Sequence, residues 1–312
     1  MKIPYDYCKI KNFGDQLNPL IFKHFTGFDI VKENNRFAEV IGIGSILDGL
    51  LLNDENAAIS DSPLNVFSSG FGFDTKGTMR RKLRVFAVRG KNTLNKLQKF
   101  DNVEFVYKNA VLGDAGLLAS ELVKNKHIKK IYDLGIIPHY ADKDNHIFKK
   151  INDQFDGKSI ILDPTLEPML FLESLMQCKA VISTAMHPLI ACDALRIPNM
   201  WVRISEKTTS RYKFHDYYSA FGIKKEPYDL SKGFSVKDVD RIYKEYNITD
   251  AKVKNIQKKL INVLNDIKNL LVEDQNNIIK RHKRHMRTEF LIKFVCNFIP
   301  FKRIRKKLRN KY

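Results

Sequence analysis

Short apolar, β-branched runs alternate along the first two thirds of the chain with stretches whose apolar residues recur every three or four positions. The runs are Ala38-Glu-Val-Ile-Gly-Ile43, Asn65-Val-Phe67, Leu83-Arg-Val-Phe-Ala-Val88, Val103-Glu-Phe-Val-Tyr107, Lys130-Ile-Tyr-Asp-Leu-Gly-Ile-Ile137, Lys158-Ser-Ile-Ile-Leu162, Ala180-Val-Ile182 and Asn199-Met-Trp-Val202. Their length and composition predict strands. Between them, residues 15–25 place Leu17, Leu20, Ile21 and Phe25 near one helical face, and residues 92–100 and 165–177 follow the same period. Strand, loop and helix in alternation predict parallel sheets covered by helices. The unit occurs twice, without sequence repetition, and the halves meet in the lysine-rich stretch 122–130. The expected fold class is therefore α/β: two Rossmann-like domains, 1–125 and 128–234, with parallel sheets facing a cleft, plus C-terminal amphipathic helices.

From 235 to 287 the period is wholly helical. Val239, Ile242 and Tyr246, then Val253, Ile256, Leu260, Val263, Leu264, Ile267, Leu270 and Leu271, recur at three- and four-residue steps with lysines on the other face. This predicts a helical segment packed on the domains. Residues 288–312 differ. Phe290, Leu291, Phe294, Val295, Phe298 and Ile299 form a helical face, Pro300 should break it, and Lys302-Arg-Ile-Arg-Lys-Lys-Leu-Arg309 follows. An apolar face beside a basic run predicts a tail that lies in a membrane interface.

Charge sharpens that picture. Lys and Arg number 54 against 35 Asp and Glu, a net charge of +19. Residues 280–312 hold thirteen Lys/Arg and one acid, a net +12, so the remaining 279 residues carry only +7. A basic tail on a mildly basic body points to an anionic surface. No RRM, KH or helix-turn-helix pattern is present, so the expected partner is an anionic membrane surface and not nucleic acid. The first residues lack the apolar core of a signal peptide. The most apolar C-terminal stretch, 290–301, is far short of the ~20 residues that span a bilayer. Cys8, Cys178, Cys192 and Cys296 form no CxxC pair, which argues against a disulfide scaffold or structural zinc. The expected location is cytoplasmic, peripheral on the inner face of the membrane, and the Asn247-Ile248-Thr249 sequon is read as unused.

Candidate chemistry gathers where strands end. Asn12-Phe-Gly14-Asp15 precedes the first helix, with Asp15 as its expected cap. Gly44-Ser45 and Ser69-Gly70-Phe71 follow strands and let an anionic ligand approach the backbone. Arg89 stands at the carboxyl end of the strand 83–88, a position suited to gripping a carboxylate or phosphate. Asp114 sits in a further turn. His139 ends one strand, and Ser183, Thr184 and His187 occupy a strand-to-helix turn facing the cleft. A histidine titrating near pH 6.5 exchanges protons at neutral pH. Lys213, Asp216 and Tyr217 lie in a dense polar and aromatic cluster; Lys213 is suited to an anion, Asp216 and Tyr217 to hydroxyls. HExxH, Walker and spaced Ser/His/Asp patterns are lacking, and no metal site is expected.

The segments Asn12-Phe-Gly-Asp-Gln-Leu-Asn-Pro19, Gly44-Ser-Ile-Leu47, Ser69-Gly-Phe71, Ala87-Val-Arg-Gly90, Leu112-Gly-Asp114, Ile136-Ile-Pro-His-Tyr140, Ile182-Ser-Thr-Ala-Met-His187 and Lys213-Phe-His-Asp-Tyr-Tyr-Ser219 occur in the order seen in the polysaccharide pyruvyl transferase family, which this chain resembles over about residues 5–225. The resemblance implies an architecture similar to GT-B glycosyltransferases. It also implies transfer of pyruvate from phosphoenolpyruvate to a sugar of a cell-surface polysaccharide or its lipid-linked precursor, forming a ketal. Ala185 stands where some members carry arginine, and Pro188 replaces the usual glycine. His187 matches the family's histidine and becomes the expected acid or base. Arg89 and Lys213 are expected to hold phosphate and carboxylate, and Asp15 and Asp216 to orient hydroxyls. No cofactor is expected; phosphoenolpyruvate is the donor substrate, and a glycan or lipid-linked oligosaccharide the acceptor. Two alternatives remain: a GT-B-like glycosyltransferase with a nucleotide-sugar donor, and a non-catalytic binding protein anchored by its tail.

Overall fold

The computed structural model describes residues 1–8, 10–51, 62–204 and 210–297. Two parallel sheets divide the strands between them. The first contains β1 (Lys2–Asp6), β2 (Asp29–Lys32), β3 (Val40–Ile41), β4 (Leu64–Ser69), β5 (Leu83–Val88), β6 (Val103–Phe105) and β7 (Val111–Leu112). Its order is β2-β1-β3-β4-β5-β6, with β7 beside the end of β5. The second, ordered β12-β11-β10-β8-β9, contains β8 (Tyr132–Ile137), β9 (Ser159–Ile161), β10 (Cys178–Ser183), β11 (Asn199–Arg203) and β12 (Tyr228–Asp229). The mixed α/β class with two parallel sheets is thus observed. Strands β1, β2, β7 and β12 have no counterpart among the apolar runs. They are two to five residues long, and β1 carries Pro4 at its centre, so periodicity does not reveal them.

The helices are α1 (Phe13–Thr26), α2 (Lys91–Leu97), α3 (Ala119–Leu122), α4 (His146–Asn152), α5 (Pro168–Met176), α6 (Met186–Leu195), α7 (Arg211–Ser219), α8 (Val239–Glu245), α9 (Asp250–Glu273) and α10 (Gln275–Asn297). Helix α1 shows how local chemistry sets geometry. Asn12, not Asp15, is its cap: the Asn12 side chain accepts from the Asp15 N–H at 3.1 Å. The reason is position, since Asp15 already lies in the helical first turn. Pro19 cannot donate to the Asp15 carbonyl, and Asn18 Nδ2 donates there instead at 3.0 Å. Asn18 also donates to the Ile43 carbonyl and accepts from the Ile43 N–H, tying the Ile43–Gly44 loop to α1.

The two halves share one apolar cluster. Phe13 of α1 stacks on Phe171 of α5 with ring centroids 4.3 Å apart, and Leu17, Ala115, Ile137, Leu162 and Met186 belong to the same core. Helix α9 returns from the second half to the first. It buries Val253, Ile256, Leu260, Val263, Leu264, Ile267 and Leu271, and its Gln257 donates to the Leu117 carbonyl at 2.6 Å. Helix α10 follows. Its Ile278 is buried and its Arg281 pairs with both carboxylate oxygens of Glu39. It runs without interruption across position 288 to Asn297. Pro300 and the basic run 302–309 lie outside the described residues. Among the described residues no helix is long and apolar enough to cross a membrane.

A buried ion pair joins the halves. Arg89 at the end of β5 donates through Nε to Asp216 Oδ2 of α7 at 3.0 Å, and both side chains are 0% exposed. The same carboxylate accepts from the Thr93 N–H at 2.9 Å and the Thr93 hydroxyl at 2.7 Å. Helix α2 has glycine at its N-cap and no cap of its own, so Asp216 caps it from the other half. Gly90 is required by contact: a Cβ there would lie 1.7 Å from the Asp216 carbonyl oxygen. Asp216→Ala should cost about 3–5 kcal/mol in chemical denaturation, because it leaves Arg89 buried without its counter-charge. Asp216→Asn, which keeps an acceptor for Thr93, should cost less. Parental stability in both variants would show that the halves are held by something else.

Candidate functional site

A cavity of about 430 Å³ opens between the halves. The first half contributes the end of β1, the start of α1 and the Gly44–Ile46 loop. The second contributes the His139–Tyr140 loop, the start of α6 and Lys213 of α7. Of the residues expected in the site, Asp15, Gly44, Ser45, His139, His187 and Lys213 line this cavity together.

His187 is the second residue of α6. Pro188 fits the helix beside it because a first-turn N–H has no intrahelical acceptor to lose. Ala185, the N-cap of α6, makes no side-chain cap bond, and Ala185, Met186 and His187 line the cavity, so the start of this helix borders it. The imidazole packs against the start of α1 at Gly14: a Cβ on Gly14 would lie 1.9 Å from His187 Nδ1. Its Nε2 is 3.9 Å from Asp114 Oδ2, and neither atom has a hydrogen-bond partner. Asp114 itself is 0% exposed, holds the Gly116 N–H at 2.8 Å, and is pushed by burial up to about 6. It is placed by Ser68, whose hydroxyl donates to the Gly113 carbonyl and accepts from the Ala115 N–H, with Ser68 at φ 69°.

Charge is crowded on the second-half wall. Burial, with Lys213, Arg89 and His139 nearby, pushes the His187 imidazole down to about 3. Burial and Lys213 push His139 down to about 4. Lys213 falls to about 8 through burial and Arg89, against the opposing pull of Asp15 and Asp142. Neither histidine therefore titrates near neutral pH, in contrast to the expectation for His187. Across the gap, burial pushes Asp15 up to about 6, and Asn12 Nδ2 donates to its carboxylate. Gly44, at φ +121°, borders that carboxylate, and a Cβ there would approach Asp15 Oδ1 to 2.8 Å.

Other expected residues take different places. Arg89 does not reach the cavity: it is spent on Asp216, on Ser45 Oγ at 3.1 Å and on the Phe71 carbonyl. Its guanidinium fills the space that the glycine loop was expected to open to a ligand, since a Cβ on Gly70 would lie 2.5 Å from Arg89 Cζ. Asp216 faces α2, as described above, and cannot orient a sugar hydroxyl. Tyr217 donates to Asp193 at 2.6 Å inside the core. Both lie on α7 one turn beyond Lys213, where the helix passes into the interface. Ser183 bonds the Ile137 and Ala185 backbone at 2.8 and 3.0 Å. Thr184 accepts from the His139 N–H at 2.7 Å and donates to Asp142 at 3.1 Å. These two hydroxyls therefore hold the His139 and His187 turns together from behind. Cavity residues that carry no signal in the sequence include Asp6 at the end of β1 and Tyr7, Asn35 and Pro164, which lie in connections without a recurrent pattern. No cluster suited to a metal ion occurs among the described residues.

A family model described as polysaccharide pyruvyl transferase matches residues 11–206. Uncharacterized protein L143 of Acanthamoeba polyphaga mimivirus is 34% identical over 145 residues, covering 45% of this chain and 49% of that protein. Succinoglycan biosynthesis protein ExoV of Rhizobium meliloti (strain 1021) is 25% identical over 231 residues, covering 73% of this chain and 67% of that protein. The chain thus spans about half the length of the first of these relatives.

The contact between Gly14 and His187 is testable. Gly14→Ala forces the imidazole or the start of α1 to move, an overpacking cost of about 1–3 kcal/mol. Misplacement by about 1 Å costs on the order of 10²-fold in rate. The variant should stay folded by circular dichroism and lose turnover by about that factor. Parental turnover would show that the position of this ring does not matter.

Proposed function

The chain belongs to the polysaccharide pyruvyl transferase family, and on that premise we propose that it moves pyruvate from phosphoenolpyruvate onto two hydroxyls of one sugar. The sugar belongs to a surface polysaccharide or its lipid-linked precursor, and the product is a ketal. The two docked α/β halves are read as a GT-B-like arrangement, with the donor on the second-half wall and the acceptor on the first. The observation that carries this reading is the convergence of Lys213, His187 and His139 on one cavity wall, opposite Asp15 and Asn12. A small, multiply charged anion relieves the crowding of the first group; hydroxyls suit the second.

The reaction adds a proton to the methylene carbon of phosphoenolpyruvate, making C2 electrophilic. One sugar oxygen bonds to C2. The second displaces phosphate there, so that the C2–O bond to phosphate breaks. Two hydroxyl protons leave; one is balanced by the new methyl group and the other by the departing phosphate. His187 stands where it can give the first proton or take one from the acceptor. Lys213 and the amides at the start of α6 hold the phosphate and carboxylate, and Lys213 supplies a cation to a turn in which position 185 is alanine. Asp15, poised by burial near neutral pH and steadied by Asn12, holds or deprotonates an acceptor hydroxyl. Arg89 acts as a positioning residue: it fixes Ser45 and α7, and its charge is felt at His187 and Lys213.

His187→Gln should reduce phosphate release from phosphoenolpyruvate by about 10²–10⁴-fold with an unchanged circular dichroism spectrum. The assay is run with a lipid-linked oligosaccharide extract. Near-parental release would remove His187 from proton transfer. Release of a nucleoside diphosphate from a nucleotide sugar, with no phosphate from phosphoenolpyruvate, would establish glycosyl transfer instead.

Binding should also take up protons. Within the protein's own charges His187 and His139 are neutral at pH 7, being held at about 3 and about 4. A bound trianion raises both, so protons pass from buffer to protein. Titration calorimetry at pH 7 in buffers of different ionisation enthalpy should give net uptake approaching one proton per phosphoenolpyruvate bound. Proton release would contradict a donor seated against these histidines.

A further inference from the structure

The inner face of α10 is pinned to the first half. Ile278 is 2% exposed, Arg281 grips Glu39 at 2.8 and 2.9 Å, and His285 stacks on Phe37 with ring centroids 3.6 Å apart. Pinning one face fixes what the opposite face presents. Ile279, Met286 and Phe290 fall within about 40° of one another on a helical projection. They are 38%, 49% and 70% exposed. Lys280, Lys283, Arg284 and Arg287 lie along one side of this stripe, and the residues after 291 add eight more Lys/Arg with no acid. An outward apolar stripe bordered by cations fits a surface that is apolar beneath and anionic above.

From this we infer that α10 is an interfacial helix, seating the protein on an anionic lipid bilayer through Ile279, Met286 and Phe290. The inference stands independently of pyruvyl transfer. Its geometry nevertheless bears on the cavity. The loop between β2 and β3 supplies Phe37 to α10 and Asn35 to the cavity wall. One loop therefore contacts both α10 and the cavity wall, which places the helix next to the cavity's first-half side.

The test uses the full chain and co-sedimentation with phosphatidylglycerol-rich vesicles, phosphatidylcholine vesicles and a duplex DNA control. The parent should pellet with the anionic vesicles, less with the neutral ones and less at high salt. Met286→Ser with Phe290→Ser removes apolar surface and leaves charge unchanged. It should lower the vesicle partition coefficient by about tenfold or more, with an unaltered melting curve. Partition equal to the parent's would overturn the inference, since attraction would then be charge alone. So would a parent that ignores the vesicles, or one that retains DNA and vesicles alike whether or not the stripe is present.

Discussion

The carboxylate of Asp216 is the point on which this molecule turns. It meets the Arg89 guanidinium, the Thr93 hydroxyl and the open end of α2 at once, in a place that water does not reach. Each partner belongs to the first half and the carboxylate to the second. A buried charge without its counter-charge costs several kcal/mol, so neither half can leave the other cheaply. Gly90 and Gly70 are needed for the same reason: one lets the two backbones touch, the other lets the guanidinium lie flat beneath its loop. Because Lys213 is one helical turn before Asp216, the anchor that joins the halves also aims the cavity lysine.

Arg89 thereby shapes the site from outside it. Its charge is balanced locally by Asp216, yet it still bears on Lys213 and His187. Three basic groups share a small, poorly solvated wall, where burial and the charge of Lys213 make both histidines harder to protonate. The proposed donor, an anion with two acidic ends, would restore the charge that burial and crowding have removed. Proton affinity and ligand affinity are then two expressions of one electrostatic deficit.

Much of this was legible in the sequence, and the failures share a cause. Strand β5 coincides with its apolar run, and most of the other expected runs contain or overlap strands, because a parallel strand buried on both faces must be apolar throughout. His187, Lys213, Asp15 and His139 meet at one cavity because strand ends and helix starts in such sheets face the same side. Arg89, Asp216 and Tyr217 occupy equally suggestive positions but satisfy one another or the core. A one-dimensional pattern shows that a charged residue ends a strand; it does not show whether another residue 127 positions away has already claimed it. Asn18 is the converse case: no one-dimensional pattern marks it, yet it bonds the Asp15 carbonyl that Pro19 leaves open and holds the Ile43 loop.

The shared core limits how this protein can work. A cleft between hinged domains closes by moving one domain over the other. Here Phe13 on Phe171, α9 laid back across the first half and the Asp216 anchor cross the boundary at three places. Moving one half as a body would expose stacked aromatics and separate a buried ion pair. These contacts oppose rigid-body movement of the walls, so in the proposed reaction pre-alignment of donor and acceptor would replace closure as the source of proximity. Water must then be displaced by the substrates themselves, and the groups left to respond are side chains: Lys213, the two histidines and Asp15. The imidazole of His187 is the most constrained of these, with Gly14 against its face and Asp114 beyond its Nε2. In the proposed reaction, then, an arriving anion would change the protonation of that ring and not its place.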